Sequence, residues 1–462
     1  MTPNPLTYAE ALAALESRGR FGIRLGLSRT RALLAGLGHP ERTFRGALVA
    51  GTNGKGSVLA MAGSALSAAG YNVGQTPKPH LVTYRERLQI GGVPVDPDTF
   101  AKLAAKVLAI SDRVARRFGD PTEFELLTAI TFLWFAESGI DLAVVEVGLG
   151  GRLDATHAWD GGVAAVTNVT LDHMDRLGAT VEAIAGEKAA IIMRGDLAVT
   201  GAWGPALDVI ERRVRRVAAP LIVAPPAPLL GTDRDGIEVE LGRLGRVRVG
   251  LRGRHQAANA AVADAVLDAL EAAGIARVLP EARRAGYAAV RWPGRMELVE
   301  AAGREILLDG AHNPAGAAAL AAALDELAPF LRPGRPALVL AIMADKDVDG
   351  VLRALAGSRL LREARVICTS PPGGRALPAE RLAARWGALV GRPAEAISEP
   401  AAALDSALSG GRGSATGFAR NRGGGPVVVA GSLYLVGAAR AILVSDPALV
   451  PDPPLPQPEA EP

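Results

Sequence analysis

The 462-residue sequence has little cysteine and few aromatic residues. Its one cysteine, Cys368, excludes an intramolecular disulfide and is typical of a reducing cytosol, so we expect a cytoplasmic location. Aromatic residues make up 4% of the chain, which disfavours a surface on which nucleic-acid bases stack. The formal net charge is only +3, too balanced to indicate nucleic-acid binding by itself. We therefore expect no nucleic-acid partner.

Long apolar runs are also missing. None approaches the ~18–20 residues of a membrane-spanning helix, and the N-terminus lacks the basic segment and apolar core of a signal peptide. We expect no membrane partner and a monomeric protein. With 49% hydrophobic and 21% charged residues, the chain can bury a large core, and its length predicts two or three domains.

The strongest functional pattern is Gly51-Thr-Asn-Gly-Lys-Gly-Ser57. It follows a short apolar run at 47–50 and precedes an alanine-rich segment at 58–69, which predicts a strand, a glycine-rich turn and a helix. Backbone N–H groups of such a turn and the helix N-terminus form a phosphate cradle. Lys55 would reach the β- and γ-phosphates, and a hydroxyl would hold Mg²⁺. Because Val49 and Gly56 depart from the P-loop pattern, the alternative is a glycine turn with a surface lysine.

Strands alternating with helices predict a doubly wound α/β sheet. The apolar runs at 71–74, 141–148 and 163–169 are predicted strands, and 84–90 alternates like a strand. Gly91-Gly92 then predicts a turn, and Thr122 with Glu125 three residues later predicts a capping box at the start of a helix. The βαβ pattern resumes after a predicted linker at 292–295. We expect a first domain at 1–291, a second at 296–446, and a Pro/Glu-rich, disordered tail at 447–462.

Three polar residues do not fit their predicted elements. Glu146 ends an apolar strand, where a carboxylate is a natural Mg²⁺ ligand; the alternative is a pair with Arg152. Lys188 lies on the apolar face of a predicted helix, where its amine could form a carbamate and ligate a second metal; the alternative is an ion pair with Asp172 or Asp175. His173 follows a strand and could ligate a metal or be structural.

In the second half, Asp309 and His312 follow a predicted strand. Asn313 is a predicted helix N-cap with Pro314 at the first helical position. Polar groups therefore gather at the carboxyl end of a strand in each half. This arrangement predicts a cleft between two domains.

These blocks together resemble the folylpolyglutamate synthase/dihydrofolate synthase family, two-domain relatives of the Mur ligases. The resemblance covers residues from about 8 to 440. Its landmarks are the cradle, Pro79-His-Leu81, Arg85-Glu-Arg87, Glu146-Val-Gly-Leu-Gly-Gly-Arg-Leu-Asp-Ala-Thr156, Leu171-Asp-His-Met-Asp175, Gly186-Glu-Lys-Ala189, His255-Gln-Ala-Ala-Asn259, Trp292-Pro-Gly-Arg295, Asp309-Gly-Ala-His-Asn-Pro314, Asp345-Lys-Asp347 and Gly431-Ser-Leu-Tyr434.

The resemblance implies a P-loop, Mur-ligase-type central domain with a mostly parallel sheet, followed by a smaller Rossmann-like α/β domain. It also implies an enzyme that uses ATP and Mg²⁺ to join L-glutamate to dihydropteroate and to tetrahydrofolate derivatives through an acyl phosphate. Domain closure on ATP would complete the site.

The resemblance also implies roles for individual residues. Lys55, His173, Lys188, Arg295 and His312 would be catalytic. Ser57 and Glu146 would hold one Mg²⁺, and His173 with carbamylated Lys188 a second. The implied ATP-binding residues are Thr52, Asn53, Gly54, Lys55, Gly56, Ser57, Asn259, Arg295, Asp309 and His312. The implied pterin-binding residues are Leu27, Ser28, Arg29, Thr30, Thr122, Glu123, Phe124, Glu125, Leu153, Asp154 and Ala155.

Two positions depart from the family pattern. Pro77-Lys-Pro-His80 stands where the family commonly has Thr-Ser-Pro-His, and His157 stands where it commonly has Asn. Because the family's serine there helps to bind a magnesium, we hypothesise that the Lys78 ammonium partly replaces the charge of the second metal.

Several alternatives remain from the sequence. The enzyme could carry out only one of the two ligations. A Mur-type cell-wall ligase is less favoured, since no separate UDP-binding domain precedes the cradle. A catalytically retired nucleotide-binding protein would not need Lys55, Glu146, His173, Lys188 and Arg295. Nucleic-acid binding through the Arg/Gly-rich stretch at 409–425 rests on composition alone.

Overall fold

The computed structural model describes residues 6–19, 25–371, 376–409 and 424–453. The chain forms two compact units. The first contains Met1–Pro226, Asn259–Gly286 and Pro451–Pro462, and the second contains Ala227–Ala258 and Tyr287–Val450. Residues 227–258, which we predicted in the first domain, thus group with the second unit.

The first unit is built on an eight-stranded sheet. Its strands are β1 (Arg45–Ala50), β2 (Val73–Thr76), β3 (Gln89–Ile90), β4 (Val93–Pro94), β5 (Leu142–Glu146), β6 (Gly162–Val166), β7 (Leu197–Thr200) and β8 (Leu221–Val223). Their order in the sheet is β4-β3-β2-β5-β1-β6-β7-β8. Six strands, β2, β5, β1, β6, β7 and β8, are parallel to one another, and β3 and β4 are antiparallel additions. Strand β5 is buried throughout, as expected for a central parallel strand covered on both faces.

Helices cover this sheet. They are α1 (Tyr8–Glu16), α2 (Ser28–Gly36), α3 (Lys55–Ala68), α4 (Pro97–Phe118), α5 (Glu123–Glu137), α6 (Met174–Leu177), α7 (Val181–Ala189) and α8 (Pro205–Val217). Two further helices, α9 (His255–Ala272) and α10 (Pro280–Ala289), follow later in the chain. The predicted capping box at α5 is confirmed: Thr122 accepts from the Glu125 N–H, and the Glu125 carboxylate accepts from the Thr122 N–H.

The second unit has two sheets. Strands β9 (Leu229–Asp233), β10 (Gly236–Leu241) and β11 (Gly245–Val249) form an antiparallel sheet. A six-stranded sheet follows, in the order β12-β13-β17-β14-β15-β16, with only β12 antiparallel. Its strands are β12 (Glu297–Ala301), β13 (Arg304–Leu308), β14 (Ala337–Leu340), β15 (Arg365–Cys368), β16 (Glu395–Ala396) and β17 (Val427–Ala430). Its helices are α11 (Pro314–Leu327), α12 (Val348–Ala356), α13 (Ala379–Val390), α14 (Pro400–Ser409) and α15 (Leu433–Leu443).

One predicted strand is wrong. Residues Tyr84–Arg87 form a 3-10 helix, and only Gln89–Ile90 is extended. The reason is a capping box: the Glu86 carboxylate accepts from the Thr83 N–H, and Thr83 caps the turn. The predicted turn at Gly91-Gly92 is confirmed, because both glycines have positive φ and join the β3–β4 hairpin.

The predicted disordered tail is partly wrong. Asp452, within residues 447–453, accepts hydrogen bonds from Tyr8, Thr83 and Tyr84. Residues 454–462 and most of the predicted Arg/Gly-rich stretch, 410–423, lie outside the described residues. Within the described ranges, no helix combines the length and apolar character needed to cross a membrane.

Asp196, immediately before β7, makes stability depend on pH. Burial, with a smaller contribution from the neighbouring Asp160 carboxylate, raises the pKa of its carboxyl to about 7, although the Met193 N–H and the Arg213 charge oppose this. Since the folded pKa lies above the unfolded value, folding favours the protonated acid. Its stabilising contribution is therefore present below about pH 4 and is lost as pH rises toward 7.

We predict that Asp196→Asn makes stability less dependent on pH between 4 and 8, removing a slope of at most ~1.4 kcal/mol per pH unit. Denaturant unfolding at several pH values measures this effect. Asp112→Asn is the control, because its side chain is 76% exposed. Equal slopes for wild type and Asp196→Asn would contradict the prediction.

Candidate active site

The phosphate cradle lies where β1 ends and α3 begins. Gly54 is the N-cap of α3, with a left-handed φ of 83°. A Cβ atom at this position would lie 2.2 Å from Oδ1 of Asn259, so the close approach of these two residues requires glycine. The structure thus brings together two predicted nucleotide-binding residues from distant parts of the chain.

Side chains at the end of β6 hold the turn. The Asn53 carbonyl accepts from Thr167 Oγ1 at 2.6 Å and from Asn168 Nδ2 at 2.9 Å. The Asn53 N–H, which we predicted to contact phosphate, donates to Asn168 Oδ1 at 3.0 Å. Thr52 Oγ1 donates to the Thr170 carbonyl at 3.1 Å. Sequence reasoning missed Thr167 and Asn168, although their position just beyond a parallel strand was a usable signal.

Two lysine ammonium groups meet at one carbonyl of the cradle. Lys188 Nζ donates to the Gly51 carbonyl at 2.9 Å, and Lys55 Nζ donates to the same oxygen at 3.1 Å. Burial, helped by the nearby Lys55 charge, lowers the pKa of Lys188 to about 7. Lys188 therefore lies on a buried face as predicted, beside the cradle. Asp175, one of its proposed alternative partners, pairs with Arg176.

Glu146 ends β5 next to the cradle and is 4% exposed. Its Oε2 accepts from the Lys78 N–H at 3.0 Å, and its Oε1 lies 4.0 Å from Lys55 Nζ. The alternative pairing with Arg152 is wrong, because Arg152 pairs with Glu187 at 3.2 Å. The carboxylate therefore faces the cradle.

Part of the predicted metal-ligand set fits magnesium. Ser57, in the first turn of α3, is 4% exposed, and its hydroxyl and the Glu146 carboxylate are hard oxygen donors of the kind that Mg²⁺ takes together with substrate phosphates. Within the described ranges, no three His, Cys, Asp or Glu side chains group into a metal cluster. As an ammonium, Lys188 is a donor and not a ligand, so the second predicted site requires its carbamate.

His173 is the N-cap of α6 and adopts a left-handed φ of 50°, uncommon for a residue with a side chain. Its Nε2 lies 3.9 Å from the Asp172 carboxylate. Asp172 also raises the pKa of Lys188, which places its negative charge near that amine. The turn thus carries an imidazole and a carboxylate at the carboxyl edge of the sheet.

The structure brings the predicted pterin-binding segments together within the first unit. Arg29, in the first turn of α2, donates to Glu125 at 2.9 Å, and both side chains are largely buried. The Gly26 N–H donates to the Leu153 carbonyl at 3.4 Å, which links α2 to the third segment. The Glu125 carboxylate is used by Arg29 and by its own capping box, so its contacts here are structural.

Lys78 connects this region to the cradle. Its Nζ donates to the Glu146 carbonyl at 2.6 Å and lies 4.9 Å from the centre of the Phe124 ring. Burial lowers the pKa of Lys78 to about 8, although the carboxylates of Asp154 and Glu146 raise it. The departure that we noted at Lys78 is therefore a half-buried amine that contacts both the end of β5 and the predicted pterin-binding residue Phe124.

A ring cluster beyond Lys78 was missed as a site feature. The His80 and Tyr84 rings lie 4.4 Å apart, and Arg87 Nε donates to His80 Nδ1 at 2.9 Å. Burial and the Arg87 charge lower the pKa of His80 well below its usual value. The signal was available, because His80 follows a proline in a rigid loop.

The second unit holds its predicted residues at the end of β13. The Asp309 carboxylate accepts from the Met296 N–H at 2.9 Å and from the Ala311 N–H at 2.8 Å. Arg295 Nη1 donates to the Gly294 carbonyl at 3.0 Å, and a Cβ at Gly310 would meet this guanidinium at 2.4 Å. His312 Nδ1 lies 2.8 Å from the Gly310 carbonyl. Asn313 caps α11 as predicted.

Sequence reasoning did not assign His255 a role. Its imidazole is half-buried in the second unit. Desolvation lowers its pKa and the Arg295 charge adds to this, while the Asp309 carboxylate raises it. His255 therefore lies within electrostatic range of the predicted Arg295–Asp309 group.

Comparisons with known proteins agree with this geometry. The family model of the Mur ligase middle domain matches residues 49–202, and that of the Mur ligase glutamate ligase domain matches residues 294–416. A dihydrofolate synthase/folylpolyglutamate synthase of Bacillus subtilis is 36% identical, covering 75% of this chain and 82% of the relative. A protein of the same description from Mycobacterium tuberculosis is also 36% identical, covering 91% and 90%.

Solved structures show the same fold. Folylpolyglutamate synthase of Mycobacterium tuberculosis, complexed with ADP and AMPPCP, aligns with a TM-score of 0.82 at 33% identity, covering 94% of this chain and 99% of that one. Escherichia coli FolC in complex with DHPP and ADP aligns with a TM-score of 0.79 at 30% identity, covering 95% and 97%. A Mur-ligase fold, as expected from the sequence, is thereby confirmed.

We predict that Gly54→Ala weakens nucleotide binding. The new Cβ would displace Asn259, in addition to the ~1–2 kcal/mol that a left-handed backbone costs a non-glycine residue. Titration calorimetry with AMPPCP measures the affinity. Gly38→Ala is a matched control, since Gly38 has the same φ of 83° with no atom within 4 Å of the new Cβ. If the two variants bind AMPPCP with similar affinity, the close contact between Gly54 and Asn259 is not needed for nucleotide binding.

Proposed function

Because the chain belongs to the dihydrofolate synthase/folylpolyglutamate synthase family and is an ATP-dependent glutamate ligase, we propose that it joins L-glutamate to dihydropteroate and to reduced folates. The observation that carries the proposal is the cradle of α3. There Lys55 Nζ lies 4.0 Å from Glu146 Oε1. Close by, the Lys78 amine contacts the ring of Phe124, which belongs to the predicted pterin-binding segments.

The proposed reaction has two steps. A carboxylate oxygen of the pterin substrate attacks the γ-phosphorus of ATP, which forms an acyl phosphate and releases ADP. The amine of L-glutamate then attacks the acyl carbon, inorganic phosphate leaves, and the amine loses a proton. Such chemistry depends on aligning the reactants and on neutralising the transferred phosphoryl group.

The residues of the cradle match these needs. The Lys55 ammonium and the N-terminus of α3 supply positive charge for the β- and γ-phosphates. Ser57 and Glu146 would hold Mg²⁺, which neutralises phosphate charge when bound. His173 and carbamylated Lys188 are proposed for the second metal. Roles in nucleotide binding for Asn259, Arg295, Asp309 and His312 are part of the same proposal.

One other function competes. The chain could perform only one of the two ligations, which the Lys78 and His157 departures would then explain. His157 Nδ1 lies 3.0 Å from the Arg152 carbonyl, near the Leu153–Ala155 segment. The retired nucleotide-binding protein that the sequence left open is not retained, because the chain matches both Mur ligase domain models and, over most of its length, a glutamate ligase.

We predict phosphate release from ATP and L-glutamate only when a pterin acceptor is added. Dihydropteroate and tetrahydrofolate are supplied in turn, and release with both supports two activities. Lys55→Met is expected to lower the rate at least about a hundredfold, because a phosphate contact is lost. Lys102→Met is the control, since Lys102 is exposed on α4.

Release with one acceptor would assign a single ligation. Acceptor-independent release, or none from protein that binds AMPPCP, would reject the proposal.

A second part of the proposal concerns Lys78. Its half-buried ammonium donates to the Glu146 carbonyl and lies near Asp154, where it supplies part of the positive charge that a second divalent metal would otherwise bring. Because the Lys78 ammonium and a divalent metal ion are both positive and repel each other, metal binding next to Lys78 is disfavoured.

We therefore predict that Lys78→Ser binds a second Mn²⁺ about tenfold more tightly in the presence of AMPPCP. Electron paramagnetic resonance of free Mn²⁺ counts the bound ions without requiring turnover. Lys102→Ser is the control. If wild type binds two Mn²⁺ ions with equal affinity and Lys78→Ser binds the second no more tightly, Lys78 does not replace any of the metal charge.

A further inference from the structure

Asp452 makes contacts that neither its position in the sequence nor the proposed chemistry explains. Its Oδ1 accepts from Tyr8 Oη at 2.6 Å and from Thr83 Oγ1 at 2.6 Å, and its Oδ2 accepts from the Tyr84 N–H at 2.8 Å. All four residues belong to the first unit. One carboxylate near the end of the chain thus joins the helix α1 to the turn after the Pro77–His80 loop.

The groups that Asp452 satisfies are buried or half-buried. Thr83 has no exposed surface, and the Tyr8 ring packs edge-on against Phe100 with centroids 5.3 Å apart. Burial and the hydrogen bond to Asp452 raise the pKa of Tyr8, so its hydroxyl stays a donor. Removing the carboxylate would leave buried donors without this acceptor, which folded proteins avoid.

The turn that Asp452 holds supports the predicted pterin-binding segments. Tyr84 uses its N–H for Asp452 and its hydroxyl for Glu123 Oε1, at 2.8 Å. Glu123 begins α5, and its neighbour Phe124 lies under the Lys78 ammonium. The Tyr84 ring also packs on His80. Tyr84 is therefore fixed at one end by Asp452 and at the other end orients the first turn of α5.

We propose that Asp452 is a positioning residue for the pterin acceptor, acting through Tyr84 on Glu123 and Phe124. This inference rests on the proposed function for the identity of the substrate. It does not place Asp452 in contact with substrate. A carboxylate with three donors holds the turn in one arrangement, and its loss lets the first turn of α5 and the His80 loop shift relative to each other.

The test compares Asp452→Ala with Asp446→Ala. Asp446 is a matched control, because it lies in the same C-terminal segment but contacts Arg440 and the Ala448 N–H. We expect the KM for the pterin acceptor to rise about tenfold in Asp452→Ala, corresponding to one charge-assisted hydrogen bond. The KM values for ATP and L-glutamate should stay within about twofold, and Asp452→Asn should recover part of the loss by keeping one acceptor oxygen.

A second measurement does not depend on turnover. Hydrogen exchange should be faster at the Tyr84 amide and in the first turn of α5 in Asp452→Ala than in wild type or Asp446→Ala. Unchanged exchange, or KM values that all rise together with a loss of thermal stability, would overturn the inference. If wild type lacks pterin-dependent phosphate release, the proposed function fails, whereas faster exchange would still support the coupling of Asp452 to α5.

Discussion

Two lysine amines held at one backbone oxygen organise the first unit. The Gly51 carbonyl accepts from both Lys55 and Lys188, so the two side chains are held in place before any anion binds. Both side chains are largely buried, and the pKa of Lys188 is lowered to about 7, so Lys55 is the cation that would meet a phosphate, while Lys188 can lose a proton and form the proposed carbamate. A polyphosphate would meet the Lys55 charge without first having to order either lysine, which is electrostatic preorganisation in the sense used for enzymes.

The register of the parallel strands makes this arrangement possible. Val49 of β1 pairs with Glu146 of β5, and Ala50 pairs with Val166 of β6. The cradle, the Glu146 carboxylate and the residues Thr167 and Asn168 that hold the cradle therefore lie side by side at the carboxyl ends of these three strands. Residues separated by more than a hundred positions meet because three neighbouring strands end together.

The sequence was sufficient to predict features set by local rules. Periodicity and composition located β1, α3 and β5, and Thr122 with Glu125 marked the start of α5, since such signals lie within a few neighbouring residues. It was insufficient at 84–90, where alternating polarity suggested a strand but a capping box imposed a 3-10 turn. The contacts of Asp452 with Tyr8 and Thr83 could not be predicted, because they join positions 444 and 369 residues apart. The family resemblance supplied the proposed roles of residues such as Arg295 and His312, which no spacing could give.

The outer strands of the large sheet have a further consequence. The strand at one edge of the sheet is β4, which contains only Val93–Pro94, and the strand at the other edge is β8, which contains only Leu221–Val223. Proline offers no N–H to a neighbouring strand, and strands this short present few unpaired backbone groups. The two edge strands therefore offer few hydrogen-bonding groups with which a strand of another molecule could pair. A protein with a sheet this wide and this apolar is in this way protected against edge-to-edge polymerisation, both at high concentration and during folding.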